Sequence, residues 1–289
     1  MRFEKAIAEL RPAMFALAYR ITGNRADAEE IVQDAFVRLH TAEPKDAVRS
    51  LKAYLTTVTA RLSLNRLRDR RARRETYLGE WLPEPLVTEG VPEVHAQDVS
   101  FALVAVLERL SPLERAVFVL RSAFDLSFKE IAAAVGRDAV ACRQTFARAR
   151  TRMREERPRF AVDRERHGAL LRSFAEAARG GDKAKLMALL ADDVVLHGDG
   201  GGKALATKKP VFGSSAVAQF IIAVARTVPD ASREEVDLNG APGLVLRSDG
   251  RAVLAILIDT DGERIHSVFA VANPDKLEAL ATSGSASKR

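Results

Sequence analysis

Residues 127–150 read SFKEIAAAVGRDAVACRQTFARAR, and the punctuation of this stretch decides how the rest of the chain is read. Ser127 followed three residues later by Glu130 is a capping box, which satisfies two otherwise orphaned amide hydrogens at a helix start. The helix it opens runs to about Val135, Gly136 supplies the turn, and Asp138 is placed to cap a further helix reaching about Arg154. That is helix-turn-helix spacing. The second helix would lie in a DNA major groove, with Arg137, Arg143, Gln144 and Arg148 as candidate readers. Arginine offers two donors matched to guanine, glutamine pairs bidentately with adenine, and flanking arginines hold phosphates. A three-helix fold without a DNA role has the same spacing, so the stretch needs support from its surroundings.

Working upstream, Ser111-Pro112-Leu113-Glu114 repeats the capping box with proline at the first helical position, and helices extend back to Val99. Residues 79–98 contain Gly79, Pro83, Pro85, Gly90 and Pro92 and read as a linker. The only tryptophan, Trp81, lies in it; so large an aromatic is expected to dock on something. Before residue 79 the pattern is helical, broken at Gly23-Asn24 and at Glu43-Pro44-Lys45. In the second of these helices Ala28, Ile31, Val32, Ala35 and Leu39 form a buried stripe, leaving Asp27, Glu30 and Asp34 as an outward acidic face. In the third, Leu51, Leu55, Val58 and Leu62 point inward while Arg61, Asn65 and Arg68 climb the outside. Downstream of Pro158 the texture becomes α+β. Helices are expected around Leu170–Ala178 and Ala184–Leu190, and strands at Val194–Leu196, Gly243–Leu246, Ala252–Ile258 and Ile265–Val271, with hairpin turns at Asp249-Gly250 and Asp261-Gly262. Residues 282–289 are small and polar and are expected to be disordered.

Composition sets the outer bounds. With 289 residues, 47% of them hydrophobic and 29% charged, the chain is long enough for two compact units and is not disordered throughout. No stretch has the roughly 20 apolar residues of a membrane span, and no signal-peptide core opens the chain, so a cytoplasmic protein without membrane contact is expected. The single cysteine, Cys142, excludes an internal disulfide and a multi-cysteine metal cluster. The net charge of +6 is local: residues 1–163 carry 28 Lys and Arg against 23 Asp and Glu, and the remainder carries 17 against 16. Arg61–Arg74 has seven arginines and one acid, and Arg137–Arg159 has eight against three, two stripes suited to a polyanion.

Taken together, the acidic helix, the basic helix, the Trp-containing linker and the helix-turn-helix resemble the bacterial ECF sigma factors. Trp81-Leu82-Pro83-Glu84-Pro85, Asp199-Gly200-Gly201-Gly202-Lys203 and Asn273-Pro274-Asp275-Lys276-Leu277 are similar to motifs of the subgroup carrying a fused SnoaL-like C-terminal domain. The resemblance implies two all-α sigma domains followed by an α+β SnoaL-like cone domain. Their expected extents are residues 1–78 for region two, 79–98 for the linker, 99–160 for region four and 165–281 for the C-terminal domain. It implies that Asp27, Glu30, Gln33, Asp34 and Phe36 bind core RNA polymerase. Lys52, Tyr54, Arg61, Asn65, Arg66 and Arg68, within the segment Arg49–Arg74, would open and hold the −10 element, and the four candidate readers would contact the −35 element. The three pentapeptides would be interdomain regulatory contacts, with the extension regulating promoter-specific initiation in cis and no dedicated anti-sigma partner required.

The same residues admit other readings. Gly198–Lys203 is one residue short of a phosphate-binding loop and has Ala204 where Ser or Thr would bind magnesium, so nucleotide hydrolysis is rejected. Lys203 is expected to reach an acid such as Glu84. His197 and Asp199, with Asp193 or His266, are the residues a cyclase-type acid and base would use. An enzyme tethered to a DNA-binding module is therefore one competing class, and a plain DNA-binding repressor another. The acidic face argues against the repressor because it would repel DNA. No catalytic residue, metal or cofactor is assigned. The cone leaves room for a small ligand, and Cys142, between Ala139 and Phe146, is expected to pack in the core.

Overall fold

Helix α1 (Arg2–Thr22) ends at Gly23, whose φ of 66° breaks the helix before α2 (Arg25–Thr41). Asn24 Oδ1 accepts the Asp27 amide at 2.9 Å and so starts α2. The computed structural model describes residues 2–41, 50–75, 77–88, 99–155 and 162–280. The expected break at Glu43-Pro44-Lys45, the boundary at Pro158 and the tail at 282–289 lie outside these residues, as do Arg49 and linker residues 89–98. Helix α3 spans Leu51–Glu75. Its Leu55 is buried against Met14, Val32, Ala35 and Leu39, with Leu51, Val58 and Leu62 packed partly against the same cluster.

Four further helices follow: α4 (Phe101–Leu107), α5 (Pro112–Ser122), α6 (Phe128–Val135) and α7 (Ala139–Glu155). Both capping boxes form, at Ser111/Glu114 and Ser127/Glu130. Gly136 closes α6 in the left-handed region at φ 69°, and Asp138 Oδ1 accepts the Ala141 amide at 2.7 Å. The chain divides into two units, Met1–Glu75 with Leu103–Arg157, and Thr76–Ala102 with Pro158–Arg289. Within the first, Leu17, Ile21, Ala60, Leu64 and Leu67 share one core with Leu107, Val117, Leu120, Ile131 and Cys142. Helix α3 therefore carries a second apolar face, and the two helical regions are packed together.

The second unit opens with α8 (Arg164–Gly180) and α9 (Lys183–Leu189), each begun by an aspartate cap. Six strands follow, interrupted by one helix: β1 (Leu190–Asp199), β2 (Val211–Phe212), α10 (Ser214–Thr227), β3 (Ser232–Leu238), β4 (Ala241–Ser248), β5 (Arg251–Thr260) and β6 (Ile265–Val271). The sheet order is β2-β1-β6-β5-β4-β3, antiparallel except for the parallel β1/β6 pair. Helix α8 packs on β4 and α10 on β1, closing a core around Phe174, Leu196, Val217, Leu246 and Val268. A short helix α11 (Pro274–Leu277) follows β6. Sequence reading anticipates β1, β4, β5 and β6 but omits β2, β3 and α10. The described part of the linker belongs to the second unit, bridged through Val87 to Leu238, in keeping with the expectation that Trp81 docks.

Candidate functional site

On α2, Glu30, Gln33 and Asp34 are exposed and Phe36 is half-buried. Asp27 departs from the expected outward acidic face. Its side chain is only 3% exposed, and its carboxylate is held by Arg66 Nη1 at 2.7 Å and Arg70 Nη1 at 2.7 Å, both from α3. Arg66 also reaches Glu30 at 2.9 Å. Burial pulls the Arg66 pKa down, but its bonds and charge contacts to Glu30 and Asp27 outweigh that and hold it raised. Helical periodicity alone groups Asp27 with Glu30; the basic run on α3 is the signal that it has a nearer cation.

The other residues assigned to the −10 element divide. Lys52, Asn65 and Arg68 are exposed, whereas Tyr54 is half-buried against the core beneath α3. Arg61 lies on the outer face but donates from Nε to the Ala134 carbonyl at 3.2 Å and from Nη2 to the Ala133 carbonyl at 2.5 Å. It thus ties α3 to the C-terminal end of α6, where carbonyls lack helical partners and favour a cation. Within the Arg61–Arg74 stripe, side chains are described as far as Arg70. On α7, Arg137 just before the helix and Arg143, Gln144 and Arg148 along it are all exposed. The opposite face buries Cys142, Ala149 and Met153. Arg143 also lies over the Phe128 ring at 5.5 Å.

In the second unit the three pentapeptides meet around one carboxylate. Asp199, fully buried at the end of β1, accepts the Leu82 amide at 2.9 Å, the Gly201 amide at 3.0 Å and Lys276 Nζ at 2.6 Å. The Tyr77 hydroxyl donates to it as well. Lys276, 5% exposed, also donates to the Leu82 carbonyl at 2.5 Å and sits 3.5 Å from the centroid of the Trp81 ring. This places the ammonium in a desolvated cation–π contact. Asn273 caps α11 and donates to the Tyr77 hydroxyl at 2.9 Å. Burial and the adjoining Asp199 carboxylate raise the Tyr77 pKa strongly, so the phenol stays a proton donor.

The glycines make this approach sterically feasible. A Cβ on Gly200 would collide with the Ala204 carbonyl, and one on Gly201, at φ 62°, would lie 2.5 Å from the Asn273 side chain. Leu82, Pro83, Glu84, Pro85 and Leu86 are buried. The described linker residues 77–88 thus form a strap over the sheet; Asn239 accepts the Leu86 amide at 2.9 Å near the end of this strap and donates to the Val99 carbonyl at 2.7 Å. Lys203 does not pair with Glu84. Its Nζ bonds Asp275 at 2.6 Å, because the glycine turn aims it at α11. Sequence reading missed Tyr77, Glu80, Asn239 and Phe269, the last of which meets Phe101 edge-on with ring centroids 5.4 Å apart. An aromatic four residues before Trp81 was the available hint for Tyr77; Asn239 and Phe269 join the site only through the sheet.

The residues of the cyclase reading do not converge. His197 Nδ1 lies 2.9 Å from Glu80, and its ring stacks on Phe269 at 5.3 Å. His266 pairs with Asp261 at 2.9 Å and lies 4.0 Å from the exposed Asp193, a separate pair from His197 and Asp199. Strand alternation sends Leu196 and Gly198 to the interior cavity and His197 and Asp199 to the opposite face, under the strap. Among the described residues no group of acids, histidines and cysteine is arranged to hold a metal, and no helix is long and apolar enough to cross a membrane.

Comparison with known proteins places this geometry. The Sigma-70 region 2 family matches residues 6–73, and the Sigma-70, region 4 family matches residues 100–153. ECF RNA polymerase sigma factor SigJ of Mycobacterium tuberculosis (strain ATCC 25618 / H37Rv) is 36% identical over 286 residues, covering 92% of this chain and 90% of that protein. Probable ECF RNA polymerase sigma factor SigI of the same species (strain CDC 1551 / Oshkosh) is 34% identical over 186 residues, 62% of this chain and 64% of its own. The crystal structure of M. tuberculosis SigJ aligns with a TM-score of 0.77 at 32% identity, covering 96% of this chain and 98% of that one. With two helical sigma regions followed by an α+β SnoaL-like domain, the chain belongs to the ECF RNA polymerase sigma factors, which are transcription initiation factors and not enzymes.

Proposed function

We propose that this sigma factor is restrained in cis by its C-terminal domain, which clamps the segment joining the two promoter-reading regions. Binding of core RNA polymerase and promoter DNA follows from family membership. The restraint rests on one observation, the buried Lys276 bridging Asp199 and the Leu82 carbonyl beneath Trp81. A linker anchored at residues 77–88 and again at Val99 has lost the slack that separating regions two and four requires. Restraint is then built into the chain, and no dedicated anti-sigma partner is needed. Because it acts with the polymerase, the protein works in the cytoplasm.

In this reading Glu30, Gln33, Asp34 and Phe36 face the polymerase. Lys52, Asn65 and Arg68 meet the −10 element, and Arg137, Arg143, Gln144 and Arg148 the −35 element. Asp27, Arg66 and Tyr54 act by shaping the region-two bundle. Arg61 becomes available to DNA only once its bonds to α6 open.

Lys276→Met keeps length and apolar volume while removing the charge. The full chain and the variant should comigrate equally with bacterial core polymerase on a native gel. Run-off transcription from a genomic-fragment library should rise several-fold with the variant. Equal output from a folded variant overturns the restraint, and failure of both chains to comigrate overturns the polymerase-binding reading.

A further inference from the structure

The cavity between α8, α10 and the sheet has a composition that the linker clamp does not use. Its walls include Phe174, Leu196, Phe220, Leu254, Ile256 and Val268. Apolar walls with a few polar groups at one end suit a small amphipathic molecule. Two arginines, Arg179 from α8 and Arg233 from β3, line the same cavity.

Their setting breaks a local pattern. Along β3 the side chains of Asp237, Glu235 and Arg233 alternate onto the face that α8 covers. Asp237 is bonded by Arg164, and Glu235 by Arg172 at 3.0 Å, both from α8. The third rung reverses the rule: Arg233 meets the like charge of Arg179, and burial together with that charge lowers its pKa. Among the described residues neither arginine has a carboxylate partner, although the two rungs beside them do. The partly buried Arg233 and the exposed Arg179, two guanidiniums without carboxylate partners at the rim of an apolar cavity, offer charge-assisted hydrogen bonds to an anion placed between them. Thr207, also in the lining, buries its Oγ1 without a hydrogen-bond partner among the described residues.

We infer that this cavity binds an amphipathic monoanion, an apolar chain with one carboxylate-type head, the head held between Arg179 and Arg233 and the chain lying against Phe174, Phe220 and Ile256. The ligand is bound and not converted, since His197 and Asp199 face the other side of the sheet, where Glu80, Tyr77 and Lys276 hold them. This inference stands apart from the clamp and survives its failure.

Titration calorimetry on the full chain tests it, with decanoate as probe below its micellar concentration. Decanoate should bind saturably at one site. Decan-1-ol, which keeps the chain and lacks the charge, should bind at least tenfold more weakly, and so should butyrate, which keeps the charge and lacks the chain. Arg233→Gln should weaken decanoate at least tenfold while leaving decan-1-ol unchanged. If that variant fails to fold, Arg179→Gln, at an exposed position, carries the same expectation. No saturable decanoate binding by the folded chain, equal binding of the alcohol, or indifference to the folded arginine variant overturns the inference.

Discussion

Tyr77 shows how one hydroxyl is made structural. It donates to Asp199, accepts from Asn273 at 2.9 Å, and lies edge-on to Trp81 with ring centroids 4.6 Å apart. Burial and the bond to Asp199 favour the protonated phenol, because ionisation would set a second negative charge against a buried carboxylate, and they outweigh the bond from Asn273, which favours phenolate. A tyrosine unfolds to a pKa of about 10. With its folded value raised, its contribution to stability is complete below pH ~10 and is lost as the pH climbs from there toward the folded value. Urea unfolding of the full chain followed by Trp81 fluorescence should therefore show stability falling above pH ~10, and Tyr77→Phe should flatten that decline while lowering stability at pH 7. The same slope in both proteins would mean that other groups set the alkaline limit. The residue scale is also where sequence reading was weakest. Asp199, Trp81 and Lys276 stood out as members of motifs, but that Asp199 is the hub follows from burial, which no spacing reveals.

At the scale of elements, legibility tracked local chemistry. The two capping boxes, the Gly136 turn and the Asp138 cap were all readable because each is written within four residues and forms as written. Gly136 allows a clean test: a Cβ there meets nothing within 4 Å, so a substitution pays only for the left-handed backbone at φ 69°. Gly136→Ala should cost about 1–2 kcal/mol and Gly136→Asn less, since asparagine tolerates that region. Thermal unfolding would check the order, and an alanine variant as stable as the asparagine one would put the cost elsewhere. Strand β3 was illegible for the opposite reason. Its alternating Arg233, Glu235 and Asp237 give one face of the strand no apolar signal, yet two of the three are neutralised by arginines arriving from α8. Helix α10 starts after Gly213 with no side-chain cap, so no start signal marked its apolar run. Asp27 was misplaced because a helix seen alone has an inside and an outside, whereas α2 has α3 beside it.

At the scale of the helical unit, two promoter-reading regions share a single core. Arg115, 1% exposed, is paired with Glu108 at 2.7 Å and donates to the Ile21 carbonyl at 2.8 Å, so region four bonds the end of α1. Arg61 reciprocates from region two, capping α6. In that arrangement Arg61, expected to follow the −10 strand, is committed to the helix-turn-helix, and under the proposed restraint the two regions part before they serve separate DNA elements. Separation exposes Leu64, Leu67 and Val117, an apolar area that polymerase binding must compensate. Arg61→Ala removes two charge-assisted bonds worth about 1 kcal/mol net, enough to shift the closed population about fivefold. Spin labels on cysteines introduced at the exposed Val37 and Val140, with buried Cys142 replaced, would report the distance between the regions. The variant should broaden that distribution toward longer distances, and core polymerase should move the wild-type chain there outright. A distribution unchanged on polymerase binding would mean that the closed packing is itself the working geometry, and that Arg61 serves the fold and never the promoter.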